Sequence, residues 1–293
     1  MSNALRLSNL VVRCSDPTVN SSVLICHGLL GSKQNWKSVS HALAQKKCGT
    51  VVAVDLRNHG NSPHSDSMSY LHMAKDISNV VNDLKLQQVC LLGHSMGGKA
   101  VMCASLMTPE KYDKLVVLDI SPLPKPSVQS LYPIVDLLSS VNLEEIGQKC
   151  GGNLAAVRSS LMEDWKAAVP DFTMRAFLLT NLEVKDRKVF WRVNLNAIKN
   201  CWQQIKSFPE KELNGCVFDR PTLFLAASKG DYLSASDVPA IRKYFPRAQI
   251  LQIANTGHWI HFDAPNTVIS LITSFIQKES IDITSYTDVT ELK

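Results

Sequence analysis

Five residues near the first third of the chain, Gly93-His94-Ser95-Met96-Gly97, set a serine between small flanking residues directly after the apolar run 89–92. A serine hydroxyl becomes a useful nucleophile only when a base takes its proton, and the base works only when an acid orients it. The spacing G-x-S-x-G arises often by chance, and an ordinary glycine-rich loop is the competing explanation. The residues on the far side of the serine favour chemistry, because Gly97, Gly98 and Ala100 open a helical segment. Strand, serine and small-residue helix in that order make a nucleophile elbow, in which small neighbours let strand and helix approach while the serine takes a strained backbone conformation.

A base is available in "NTGHWIHFD", where His258 follows Gly257 just after the last apolar strand of the chain. His261 is its rival, but it opens the segment that leads into the last helix. His94 adjoins the serine, and at an elbow its side chain points away from the hydroxyl, which suits structural support. His27, His41, His59, His64 and His72 all precede Ser95 and do not fit the order serine, acid, histidine. Two acids compete. Asp119 ends the strand "KLVVLD" beside the nucleophile strand, and Asp231 lies in "AASKGDYL" after a later strand. As structural residues, Asp119 would start the turn before Pro122 and Asp231 would serve turn chemistry beside Gly230. The backbone amides of Leu29, in "LICHGLLGS", and Met96 are the candidate donors for an oxyanion hole. The turn "DLRNHGNSP" is placed to support the Leu29 loop.

The elements that must position these residues alternate along the chain. Strands are expected at 21–28, 50–57, 89–92, 114–121, 221–228 and 248–255, with amphipathic helices at 35–46, 69–84, 238–245 and 266–278. Such alternation predicts an α/β fold with a parallel sheet and helices on both faces. Ligands bind such sheets beyond the carboxyl ends of the strands. From about 127 to 214 the alternation stops. That stretch shows helical patches and many aromatics, no convincing strand, and the character of a lid. The expected division is a first core part at 1–122, a helical lid insertion at 123–215, a second core part at 216–280 and a polar, frayed tail at 281–293. The aromatics of the insertion are expected mainly to pack it onto the core.

Composition narrows the classes of function. The 293 residues are 45% hydrophobic and carry a net charge of +5, with basic residues scattered and none interleaved with aromatics, so no nucleic-acid surface is expected. Eight cysteines contain no CxxC pair and fall partly inside apolar strands, which suits small buried side chains in a reducing compartment better than zinc or disulfides. No apolar stretch approaches the roughly 18 residues of a transmembrane helix. The N-terminus is mildly like a mitochondrial leader, yet "LRLSNLVVR" also reads as an opening strand.

Together, "HGLLGS", "DLRNHGNSP", "GHSMGG", "LDISP", "PTLFLAAS" and "GHWIH" resemble the α/β-hydrolase superfamily over nearly the whole chain. More narrowly, "HSMGGK", "LLTNL", "WRVNL", "FPRAQ" and "GHWIHFDAP" look like a subgroup of α/β-hydrolase domain-containing proteins and bacterial carboxylesterases. The resemblance implies a mostly parallel sheet flanked by helices, with a helical lid shaping an acyl site. It implies a Ser-His-acid esterase or lipase acting on a small acyl ester or lipid, with no cofactor or metal. In this subgroup the "D-I-S/A-P" aspartate is regular and the later one is often missing, which favours Asp119, while the presence of Asp231 keeps both open. Relatives often carry an acid where this chain has Asn196. Animal members are commonly mitochondrial; a short, complete N-terminus would instead make this chain cytoplasmic. A thioester hydrolase using the same site, and a noncatalytic ligand-binding or partner-stabilising protein, are the alternative expectations.

Overall fold

The computed structural model describes residues 4–278 and 287–289. Its strands are β1 (Asn9–Val12), β2 (Ser22–Cys26), β3 (Thr50–Val54), β4 (Val89–His94), β5 (Lys114–Leu118), the pair β6 (Leu182–Lys185) and β7 (Lys188–Trp191), then β8 (Thr222–Ala227), β9 (Ala248–Ile253) and β10 (Thr287–Asp288). All but β6 and β7 form one sheet in the order β1-β3-β2-β4-β5-β8-β9-β10. Neighbours from β3 to β9 run parallel, and the edge strands β1 and β10 are antiparallel to theirs. Every residue of β2, β4 and β8 is buried. Burial on both faces is why these strands read as unbroken apolar runs.

Alternation along each strand splits the core in two. Val23, Ile25, Leu92, Val116 and Leu225 face one layer, and Leu24, Cys26, Leu91, Val117 and Phe224 the other. Truncating a buried leucine or isoleucine in either layer costs about 2–5 kcal/mol. Along the chain, α1 (Lys37–Gln45) precedes β3, α2 (Tyr70–Asp83) precedes β4, and α3 (Met96–Met107) follows it. Buried residues of α1 belong to the first layer, and those of α2 and α3 to the second. In α3 every residue but Met107 is buried, so this helix is apolar nearly all round.

Between β5 and β8 lie α4 (Pro126–Gln129), α5 (Tyr132–Ser140), α6 (Leu143–Lys149), α7 (Leu154–Asp164), α8 (Phe172–Leu179), the β6–β7 hairpin, α9 (Leu195–Asn200) and α10 (Trp202–Lys206). The hairpin corrects the expectation that this stretch holds no strand. Its turn residues Asp186 and Arg187 both have positive φ, 51° and 61°, as a two-residue type I′ turn requires. Neither is the Asn-Gly or Gly pair that announces such a turn in a sequence. The segment is fastened to the core near the sheet's carboxyl edge, where Asn181 Nδ2 donates to Leu30 O at 2.9 Å and Asn194 N donates to Asn58 O at 2.9 Å.

The chain closes with α11 (Val238–Tyr244), α12 (Ile260–Asp263) and α13 (Pro265–Gln277). The expected fraying of the last residues is corrected in part: β10 pairs with β9 and Val289 is buried. The rest of the expected tail lies outside the described residues. All eight cysteines are unpaired thiols. No helix among the described residues is long and apolar enough to cross a membrane.

Candidate active site

The strand order changes direction at β2, which has β3 on one side and β4 on the other. That switch opens a crevice at the carboxyl edge between β2 and β4. The Gly28-Leu29 loop leaves one strand there, and Ser95 leaves the other. Ser95 has φ 53° and ψ −119°, an unfavourable conformation for a residue with a Cβ. The surroundings hold it in place: its N–H donates to Leu118 O at 3.1 Å and its carbonyl accepts from Lys99 N at 3.1 Å. The glycine at 97 is a steric necessity, because a Cβ there would lie 2.3 Å from Cys26 O and 2.5 Å from His27 O. A Cβ on Gly28 would meet Ser95 Cβ at 3.3 Å, so the β2 loop passes directly over the serine.

Asp119 follows β5 on the same edge, also at positive φ (46°), and its N–H donates to Leu225 O of β8 at 2.7 Å. Its two carboxyl oxygens have separate tasks. Oδ1 accepts the Ala227 N–H at 2.8 Å, and Oδ2 accepts from His258 Nδ1 at 2.8 Å. A carboxylate acceptor places the imidazole proton on Nδ1 and leaves the lone pair on Nε2. Burial lowers the His258 pKa to about 3, which keeps the ring neutral at rest. Burial also raises Asp119, to about 7, against the lowering effect of the Ala227 N–H. The loop bearing His258 docks on the elbow through His94, whose Nε2 donates to His258 O at 2.8 Å.

The remaining sequence candidates fall into two groups. His261 is stacked on Trp36, with centroids 4.3 Å apart, and its ring packs against His94 rather than Asp119. Asp231 accepts a hydrogen bond from Ser127 Oγ and does not bond the imidazole. Leu29 and Met96 stand on the two sides of the crevice. Among the described residues no backbone acceptor outside regular elements takes the Leu29 amide, and Met96 is the first residue of α3, where helix amides lack intrahelical partners. The neighbouring amide is occupied, since Leu30 N donates to His59 Nε2 at 3.1 Å. His27 Nδ1 in turn bonds Gly28 O at 2.7 Å, and Leu56 N donates to its Nε2 at 3.0 Å. Both rings are therefore neutral props for the Leu29 loop, and burial lowers the pKa of each. Among the described residues no cluster of His, Cys, Asp and Glu is arranged to hold a metal ion.

One site residue carries no signal in the sequence. The Tyr232 ring lies flat on His258, with centroids 3.5 Å apart and planes 15° apart. Nothing in "SKGDYL" distinguishes that tyrosine from a loop aromatic packed elsewhere.

A family model described as the alpha/beta hydrolase fold matches residues 21–265, a span that includes every residue of the site above. The chain belongs to the α/β-hydrolase family. Within the family it is 36% identical over 259 residues to the sn-1-specific diacylglycerol lipase ABHD11 of Danio rerio, covering 88% of this chain and 79% of that one. It is 29% identical over 257 residues to the esterase YbfF of Escherichia coli K12, covering 88% of this chain and 93% of the relative. Among solved α/β-hydrolase structures, a marine microorganism esterase superimposes with a TM-score of 0.83 at 31% identity, covering 93% of this chain and 100% of that one. The subgroup expected from the insertion motifs is thus the one in which the relatives fall.

Proposed function

We propose that this protein hydrolyses carboxylic esters of acyl or lipid type through a serine acyl-enzyme. One observation carries the reading: His258 is tethered through Nδ1 to a buried Asp119 on the same sheet edge that holds Ser95 in its strained turn. His258 Nε2 takes the Ser95 proton as Oγ attacks the ester carbonyl. The Leu29 and Met96 amides hold the tetrahedral oxyanion, an arrangement in which losing one donor typically costs about 10²–10³ in rate. His258 then gives the proton to the departing alcohol, and water repeats the sequence in reverse to free the acid. Asp119 holds the Nδ1–H tautomer and stabilises the imidazolium that forms.

The names of the relatives, a diacylglycerol lipase and an esterase, support an acyl or acylglycerol substrate. The half-buried Phe177 of α8 adds to this, since it packs on Trp259, next to His258, with centroids 5.4 Å apart. That contact supports reading the segment between β5 and β8 as a lid, since it brings one of its apolar side chains against the residue next to the base. The test is hydrolysis of p-nitrophenyl esters of graded acyl length, and of diacylglycerol, by the wild type and Ser95→Ala. Turnover by the wild type with a flat Ser95→Ala trace supports the reading. Equal rates from the two proteins refute it.

A further inference from the structure

The His258 ring hangs from its own Cβ and is bonded to Asp119 through Nδ1 at 2.8 Å, so the freedom left to it is a coupled rocking about its two side-chain torsions. A rocking imidazole would swing Nε2 away from the serine, and a displacement of 1 Å in a reacting group can cost about 10²-fold in rate. Packing on the two faces of the ring is what limits that rocking. Two side chains contact its faces. His94 approaches with centroids 4.7 Å apart at 42°, a tilted contact, and Tyr232 lies nearly parallel at 3.5 Å and 15°.

Tyr232 is itself held on three sides. Its carbonyl accepts the Ser121 N–H at 3.1 Å, and its hydroxyl donates to Ser127 O, in α4, at 3.3 Å. The preceding residue, Asp231, accepts from Ser127 Oγ, and further along the loop Asp237 pairs with Lys125 at 2.5 Å. The first helical turn beyond β5 and the loop beyond β8 are therefore laced together, with the tyrosine ring between them and the imidazole.

We propose that Tyr232 is the positioning residue for the general base: its ring limits the tilt of His258, so that Nε2 is kept where it can reach Ser95. This rests on the Ser95–His258–Asp119 reading above. The ring, more than the hydroxyl, performs the task, because the stack needs only an aromatic plane and the loop has its other anchors in Ser121, Ser127 and Lys125. A flat ring over an imidazole also favours the cationic form that appears during proton transfer.

The experiment compares the wild type, Tyr232→Phe, Tyr232→Leu and Ser95→Ala with a short p-nitrophenyl ester, measuring kcat and KM separately alongside Tm. Tyr232→Leu fills most of the volume without a plane. It should lose about 30-fold in kcat with KM within threefold. Tyr232→Phe should restore kcat to within about threefold of the wild type. A Tyr232→Leu enzyme with wild-type kcat overturns the proposal. So does a Phe variant as impaired as Leu, which would move the task to the hydroxyl, or a loss confined to KM. If Tyr232→Leu fails to fold, as judged by Tm, Tyr232→His and Tyr232→Met replace it as the planar and non-planar pair. Should Ser95→Ala match the wild type, the catalytic reading itself has failed, an outcome separate from any ranking of the Tyr232 variants.

Discussion

Replacing Asp119 by asparagine tests how the base is oriented. The aspartate accepts at both oxygens, from Ala227 N and from His258 Nδ1, each at 2.8 Å. Asparagine has one acceptor and one donor. With its oxygen on Ala227 N–H, its amide nitrogen faces Nδ1 and forces the imidazole proton onto Nε2, where it can no longer accept the Ser95 proton. With the amide reversed, two donors confront each other at Ala227. The side chain is isosteric and the first arrangement keeps the backbone contact, so Tm should move by only a few degrees. Catalysis should fall by about 10³–10⁴ in kcat/KM, or about 4–5.5 kcal/mol, the scale seen when a triad imidazole is locked in the wrong tautomer. Asp231→Asn is the control. Its carboxylate is bonded to Ser127 and acts on the imidazole only through its charge, so its kcat/KM should fall by less than about tenfold. The assay is initial-rate hydrolysis of a p-nitrophenyl ester together with thermal unfolding of each variant. A loss smaller than tenfold in Asp119→Asn, or an equal loss in Asp231→Asn, refutes the tautomer argument.

Two further outcomes concern the frame around the site. Gly97→Ala drives a Cβ to within 2.3 Å of a backbone carbonyl; it should destabilise the fold by about 3 kcal/mol or fail to give soluble protein. At Gly151, with nothing within 4 Å but φ +61°, alanine should cost only about 1–2 kcal/mol. Thermal unfolding of the two variants checks the contrast, and equal Tm values contradict it. The second outcome concerns acid. Burial lowers the pKa values of His27, His59, His94 and His261, that of His59 to about 3. The folded state then binds fewer protons than the unfolded chain, so this contribution to stability is complete above about pH 6.5 and is lost as pH falls from there towards the folded values. At pH 5.5 each ring whose folded pKa lies well below that value, as for His59, His94 and His261, costs about 1.4 kcal/mol. His258, also lowered to about 3, adds to the loss, and Asp119, raised by burial to about 7, acts in the opposite sense and offsets part of it. Tm should drop by on the order of 10 °C between pH 8 and pH 5.5, and a flat profile over that window contradicts the account.

The fold was readable where burial on both faces leaves unbroken apolar runs, as in β2, β4 and β8, and where helices keep a stripe, as in α2. The β6–β7 hairpin was not, because four-residue strands joined through Asp186-Arg187 carry no composition that marks a turn. In β10, two residues owe their pairing to the free edge of β9, which local sequence does not reveal. The serine was legible because the elbow imposes small residues at fixed spacing, and the glycine at 97 proves to be demanded by backbone on the adjacent strand. Sequence spacing leaves the orienting acid open for a physical reason. Asp119 and Asp231 both follow parallel strands at the carboxyl edge of the sheet, and only three-dimensional placement shows one carboxylate on the imidazole and the other on Ser127. The stack of Tyr232 on His258 leaves no trace in spacing at all.

The claim on which everything else depends is that Ser95 is an activated nucleophile. The most direct measurement is exposure of the wild type and Ser95→Ala to a fluorophosphonate, followed by intact mass and peptide mapping. One adduct per chain is expected, on Ser95, and none on the variant. No adduct on the wild type, or one on any other residue, would contradict that claim.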